Sequence, residues 1–235
     1  MQFLGEMAFF ALASGFLGLI ARDQATFDSV GQPVRVLAKT APIWSLLVLL
    51  LFQAARSQKV KSNRLVYGTA LGLLFGSVGD VSLDLDTSGK TGPMFLVGLV
   101  AFLISHICYG VALFNVRQPM RPMCFSLLSV VMCGYYMTLQ RHLPEQMLLP
   151  VAIYASAILG MTVIADGSGL VRARIGAVLF CISDATLAWD AFAVPFERSR
   201  LIVMTTYYLA QYFIAKAALA SVGAPSQRES AKKSN

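Results

Sequence analysis

The stretch MFLVGLVAFLISHICYGVALF, Met94 to Phe114, carries no charged residue. As a helix rising about 1.5 Å per residue it is about 31 Å long. That matches the ~30 Å hydrocarbon core of a bilayer, so the run reads as a membrane span. Working outward, seven more apolar runs follow the same reading: Phe3–Ile20, Val34–Phe52, Leu65–Leu83, Met123–Leu139, Leu148–Ile164, Arg172–Trp189 and Leu201–Val222. The expected fold class is all-α, a polytopic membrane protein of eight transmembrane helices. Residues 1–222 form one transmembrane domain. Residues 223–235 are polar and are expected to be a disordered cytosolic tail.

Composition agrees. The chain has 235 residues, 57% hydrophobic and 13% charged, whereas a soluble domain carries about 25% charged residues. Little length remains beyond the spans and short loops, so any chemistry must sit inside the bundle. The net charge of +7 falls mostly in loops between apolar runs, which points to a membrane surface and away from nucleic acid. Cys108, Cys124, Cys133 and Cys181 form no CxxC pair and read as reduced thiols. Two histidines, His106 and His142, argue against a three-histidine zinc site. The first apolar run lacks a basic leader and reads as a span, not a cleaved signal peptide. No P-loop, GxSxG, HExxH or Rossmann fingerprint is present.

Loop charge predicts orientation. Arg56, Lys59, Lys61, Arg64, Arg117, Arg121, Arg172, Arg174, Arg228, Lys232 and Lys233 gather on one side. Arg22, Arg35, Lys90, Arg141, Arg198 and Arg200 lie on the other. The richer side is cytosolic by the positive-inside rule, so both termini are expected there.

The third and seventh spans end alike. One reads Gly79-Asp80-Val81-Ser82-Leu83-Asp84-Leu85-Asp86, the other Ser183-Asp184-Ala185-Thr186-Leu187-Ala188-Trp189-Asp190. Four spans separate them, which suggests a parallel four-plus-four repeat.

A carboxylate within a span costs at least ~2.5 kcal/mol and is a functional hypothesis by default. Asp80 lies about 22 Å and Asp184 about 18 Å from the cytosolic edge by helical rise. The two are therefore at similar depth and are the candidate catalytic residues, expected to face one pocket of low dielectric constant. Asp84, Asp86 and Asp190 read as solvated rim charges. Lys39, His106, Tyr109, Tyr207, Tyr208 and Gln211 reach the same layer and are the candidate substrate-binding residues. Lys39 either meets a phosphate or holds one aspartate ionised; snorkelling toward the interface explains it as well. Interhelical hydrogen bonding explains the others nearly as well as catalysis does.

Several motifs, in order, carry a family resemblance. They are Lys39-Thr40-Ala41-Pro42, Val78-Gly79-Asp80, His106-Ile107-Cys108-Tyr109, Phe180-Cys181-Ile182-Ser183-Asp184, Ala188-Trp189-Asp190-Ala191-Phe192-Ala193, and Met204-Thr205-Thr206-Tyr207-Tyr208-Leu209-Ala210-Gln211. Together they resemble the lysoplasmalogenases of the transmembrane protein 86 (YhhN-like) family, especially its B-type vertebrate members. The likeness runs from Leu37 to Leu219. It implies hydrolysis of the vinyl ether bond of lysoplasmalogens to a fatty aldehyde and glycerophosphocholine or glycerophosphoethanolamine. It also implies an endoplasmic reticulum membrane, no metal and no other cofactor. The expected partners are the lysophospholipid substrate, water and membrane lipid, with a homodimer compatible.

The chemistry fits the residue types. Protonation of the alkenyl carbon gives an oxocarbenium ion, which water captures; the hemiacetal then collapses. Paired carboxylates serve a comparable cation in glycoside hydrolysis. Burial and a neighbouring carboxylate can keep one member of a pair protonated near neutral pH. A coupled pair titrates as a pair, so the sequence leaves open which aspartate is the acid. Three other readings use the same acids: a proton-coupled transporter, a non-catalytic lipid-binding or scaffold protein, and an intramembrane aspartyl protease.

Overall fold

In a computed structural model the described residues are 2–22, 27, 29–56, 64–86, 91–114 and 122–223, without the side chains of 122–126 and 222–223. The tail expected to be disordered lies outside them. Among the described residues the chain forms eight α-helices and no strand: α1 Gln2–Ile20, α2 Gln32–Arg56, α3 Arg64–Leu85, α4 Pro93–Phe114, α5 Pro122–Leu139, α6 Glu145–Gly167, α7 Val171–Phe192 and α8 Ser199–Gly223. Each coincides with an expected apolar run to within four residues. The ends fall where apolar runs meet prolines or charges: Pro93 and Pro122 open α4 and α5, where a missing N–H costs nothing.

Among the described residues six helices, α1 to α4, α6 and α7, are long and apolar enough to cross a membrane. The surface is inverted relative to a soluble protein. Val48, Leu71, Val111, Val130 and Leu149 are exposed, while Asp80, His106 and Gln211 are buried. This marks an integral membrane protein, with lipid as the solvent of the outer faces. In α8, Tyr207, Tyr208 and Gln211 all face inward and are buried by protein. A helix wrapped by its neighbours does not need an apolar composition.

The two tightest packings are α3 on α4 and α7 on α8. Each depends on a glycine eight positions before the aspartate of its helix, Asp80 or Asp184. A Cβ on Gly72 would lie 2.1 Å from the Tyr109 ring, and one on Gly176 would lie 2.9 Å from the Ala210 carbonyl oxygen. Small residues at such crossings let backbones approach where no hydrophobic force drives helices together. Much of the remaining packing is also paired, α1 with α2 and α5 with α6, α2 with α3 and α6 with α7, α2 with α8 and α6 with α4, while α8 also packs on α3 and α1.

The main core joins α1 to α4 with α7, α8 and the inner face of α6. A smaller apolar cluster around Phe95, Leu139, Met147 and Val151 lies under α5. Helix α5 leans on α6 and only skirts α7. Of the cysteines with described side chains, Cys108 and Cys181 are partly buried and Cys133 is exposed; all are free.

Candidate active site

The site forms at one end of the bundle, where α2, α4 and α8 begin and α3 and α7 finish. Asp80 sits in the last third of α3, with only 4% of its side chain exposed. Two elements hold it. From α2, the Lys39 ammonium lies 3.5 Å from Oδ1 and donates to the Asp80 backbone carbonyl at 3.1 Å. From α8, the Tyr207 hydroxyl donates to Oδ2 at 2.7 Å. Pro42 lies inside α2, one turn beyond Lys39. On the same stretch the Tyr208 hydroxyl donates to the Lys39 backbone carbonyl at 2.7 Å, joining α8 to α2.

Asp184 is likewise held from two other helices. From α6, the Tyr154 hydroxyl donates to Oδ2 at 2.5 Å. From α4, His106 Nε2 lies 3.1 Å from that oxygen and 3.0 Å from the Tyr154 hydroxyl. His106 Nδ1 is buried with no hydrogen-bond partner among the described residues. A bare ring nitrogen there costs less than a buried N–H with nothing to bond. This assigns the imidazole proton to Nε2, aimed at Asp184. Both donors use Oδ2.

Between the two clusters stands Phe180, one turn before Asp184 on α7 and fully buried. Its ring meets His106 edge-on at 5.0 Å and Tyr207 at 5.6 Å. One aromatic side chain thus fixes a donor of each acid.

Asp80 and Asp184 line a single cavity of about 560 Å³. Its wall also carries Lys39, Tyr207 and Ser183, and toward its mouth Arg35, Arg200, Asp84, Asp86 and Asp190. The pocket is wider and more polar than the dry enclosure expected from sequence. The reason is that helix ends, not helix middles, form its walls, and the ends carry the loop-proximal charges. Phe27 lies buried beside the two arginines, with the Arg200 guanidinium 4.4 Å and that of Arg35 5.3 Å from its ring centre.

Of the expected binding residues, Lys39 and Tyr207 stand on the cavity wall. His106, Tyr109, Tyr208 and Gln211 sit behind it, fully or nearly fully buried. Tyr109 donates to Gln211 Oε1 at 2.5 Å, joining α4 to α8. Lys39 is turned to Asp80, so of its expected roles the geometry favours the ion pair over a phosphate contact. Tyr154, Arg35 and Arg200 escaped the sequence reading. Tyr154 is a lone tyrosine in an aliphatic span with no motif around it, and the two arginines register only as loop charges.

Known proteins place the chain. The model of the YhhN family matches residues 34–218. Lysoplasmalogenase TMEM86B of Sus scrofa is 36% identical over 210 residues, covering 88% of this chain and 82% of that protein. Lysoplasmalogenase TMEM86B of Homo sapiens is 37% identical over 63% of this chain and 62% of its own length. Lysoplasmalogenase TMEM86A of Bos taurus is 33% identical over 64% and 65%. No solved structure matches. The matched region spans all of the helices that hold Asp80 and Asp184, and on this evidence the chain belongs to the YhhN family.

Proposed function

We propose that this protein hydrolyses the vinyl ether bond of lysoplasmalogens, releasing a fatty aldehyde and glycerophosphocholine or glycerophosphoethanolamine. The observation that carries the reading is that two membrane-embedded aspartates from α3 and α7 open into one cavity. The names of the relatives supply the substrate class; the cavity supplies a means.

The geometry divides the labour. Tyr154 and His106 both donate to Oδ2 of Asp184. The partners of Asp184 are a tyrosine and an imidazole, whereas the Lys39 ammonium 3.5 Å from Asp80 favours the ionised form of that acid, so of the pair Asp184 is the one left to carry the proton in this reading. Asp184 is therefore the general acid. Its proton goes to the alkenyl carbon away from oxygen, as the C=C pair forms the new C–H bond. The positive charge settles on the carbon bonded to the ether oxygen. Asp80, with the Lys39 ammonium at its side, is suited to the carboxylate role: it faces the cation and orients water. Water adds to the cation, its proton returns to the carboxylate pair, and the hemiacetal breaks its C–O bond to give aldehyde and alcohol. Preorganised groups of this kind act most strongly where bulk water is excluded.

In this reading all eight helices cross the bilayer, α8 as a span shielded by its neighbours. The paired packing, the glycines at 72 and 176 and the two similarly held acids support a parallel four-plus-four repeat. An endoplasmic reticulum membrane with cytosolic termini fits the loop charges and the family resemblance. Purified protein given a lysoplasmalogen and its saturated ether analogue tests the proposal. Aldehyde is expected from the alkenyl lipid alone; no aldehyde from either lipid would reject it.

A further inference from the structure

A second, narrow cleft meets the polar cavity. It is lined almost entirely by apolar side chains of α4 to α7, among them Leu99, Met132, Tyr135, Ala155, Ile158 and Phe192. Leu83, Phe95, Phe102, Leu187 and Ala191 belong to both spaces, and so does Asp184. Asp184 is the one charged side chain that the cleft presents. The other charged side chains lining the two spaces, Asp80 and Lys39 included, lie on the polar side.

We infer that this cleft is the binding site for the hydrocarbon chain of the substrate, which enters sideways from the bilayer between α5 and α7. The inference rests on the hydrolase reading and deepens it. Three observations carry it. Charge is partitioned as in a lysolipid, with ionic groups on one side of Asp184 and hydrocarbon on the other. The junction of the two spaces falls on the proposed acid, where the bond joining head to tail must lie. Helix α5 leans on α6 and only skirts α7, so the side of the cleft is a seam between helices and not a packed wall.

The arrangement sets the substrate's direction. The head group lies toward Arg35 and Arg200 at the mouth, and the chain runs past Asp184 toward Met132, Ala155 and Ile158. A single-chain lipid can thread this path. A second acyl chain at the neighbouring glycerol carbon would have to lie in the charged cavity, where hydrocarbon would strip water from ionic groups, which is unfavourable.

Two measurements test it on the full-length protein. The first is photolabelling by a saturated ether lysophospholipid bearing a diazirine at the chain end, with a diacyl phospholipid probe as comparison. Labels on Met132, Ala155, Ile158 or their immediate neighbours, stronger for the lysolipid, are expected. Labels on the α1–α2 face, or equal labelling by the diacyl probe, would overturn the assignment. The second is a pair of cleft-filling variants, Ala155→Phe and Met132→Trp, assayed with long- and short-chain lysoplasmalogens. The ratio of long-chain to short-chain kcat/KM is expected to fall about tenfold, the scale on which an apolar pocket discriminates chain size. An unchanged ratio in a folded variant would contradict the assignment. Because the photolabel needs no turnover, it decides the chain site even if the wild type releases no aldehyde, the result that would sink the hydrolase reading by itself.

Discussion

Tyr154 on α6 donates its hydroxyl hydrogen to Asp184 on α7 at 2.5 Å, and Tyr207 on α8 does the same for Asp80 on α3 at 2.7 Å. Each acid also receives a nitrogen from another helix, His106 for Asp184 and Lys39 for Asp80. The partners come from four different helices, α2 and α8 for Asp80 and α4 and α6 for Asp184. What differs is their chemistry: an ammonium beside Asp80 and an imidazole beside Asp184. In the proposed mechanism that difference sets the carboxylate role of Asp80 apart from the proton-donor role of Asp184.

Replacing Asp184 by Asn removes the donor proton while keeping the shape. Turnover is expected to fall by about 10²–10⁴-fold, the usual share of general acid catalysis. Asp80→Asn is expected to fall comparably, because the cation loses its facing charge. Aldehyde release by purified, folded variants measures both; near-normal rates in the two together would leave the mechanism without its groups.

Tyr154→Phe deletes the hydroxyl that bonds Asp184 and His106 and leaves the ring in place. A hydrogen bond to a charged or reacting carboxyl is worth about 1.5–3 kcal/mol. The expected result is a drop in kcat of roughly tenfold or more at nearly constant KM, since Tyr154 acts through Asp184 and not on the lipid head. A rise in KM at constant kcat would place it in binding instead.

Gly72→Ala would press a methyl group into the Tyr109 ring, 2.1 Å away. Forcing an atom into a packed interface costs about 1–3 kcal/mol, so thermal unfolding in detergent should begin several degrees lower. Gly15 faces open space, and Gly15→Ala is the matched control with no expected loss. Equal melting of the two variants would show that the α3–α4 contact is looser than described.

At the opposite end of the bundle, Lys216 meets Glu6 at 2.6 Å and Tyr212 donates to the same carboxylate at 3.0 Å, tying α8 to α1. Breaking a largely buried pair from one side leaves a charge without compensation, at about 3 kcal/mol. Lys216→Met alone should therefore destabilise strongly, and Glu6→Leu combined with Lys216→Met should recover most of the loss. Melting curves of the single and double variants give the coupling directly; strict additivity would mean that the pair is solvated.

The helices were legible because lipid imposes a simple rule. A segment such as Met94–Phe114 can be stable in a bilayer only with every backbone group bonded internally, and its length and lack of charge state this locally. Asp80 and Asp184 were legible for the same reason: a carboxylate in such a run is costly enough to stand out. Lys39 and His106 were found by depth alone, and depth could not separate a wall residue such as Lys39 from a hidden support such as His106.

The linear chain by itself determined where the long apolar helices run, which of them carry the acids and which family pattern they follow, since each depends on neighbours within one helix. Only tertiary packing decided that Tyr154 bonds Asp184, that Lys39 turns to Asp80, and that a polar cavity and an apolar cleft meet at one side chain. Such contacts join helices far apart in the chain. They depend on rotation and close approach, set at positions like Gly72 and Gly176 by the shape of the partner helix.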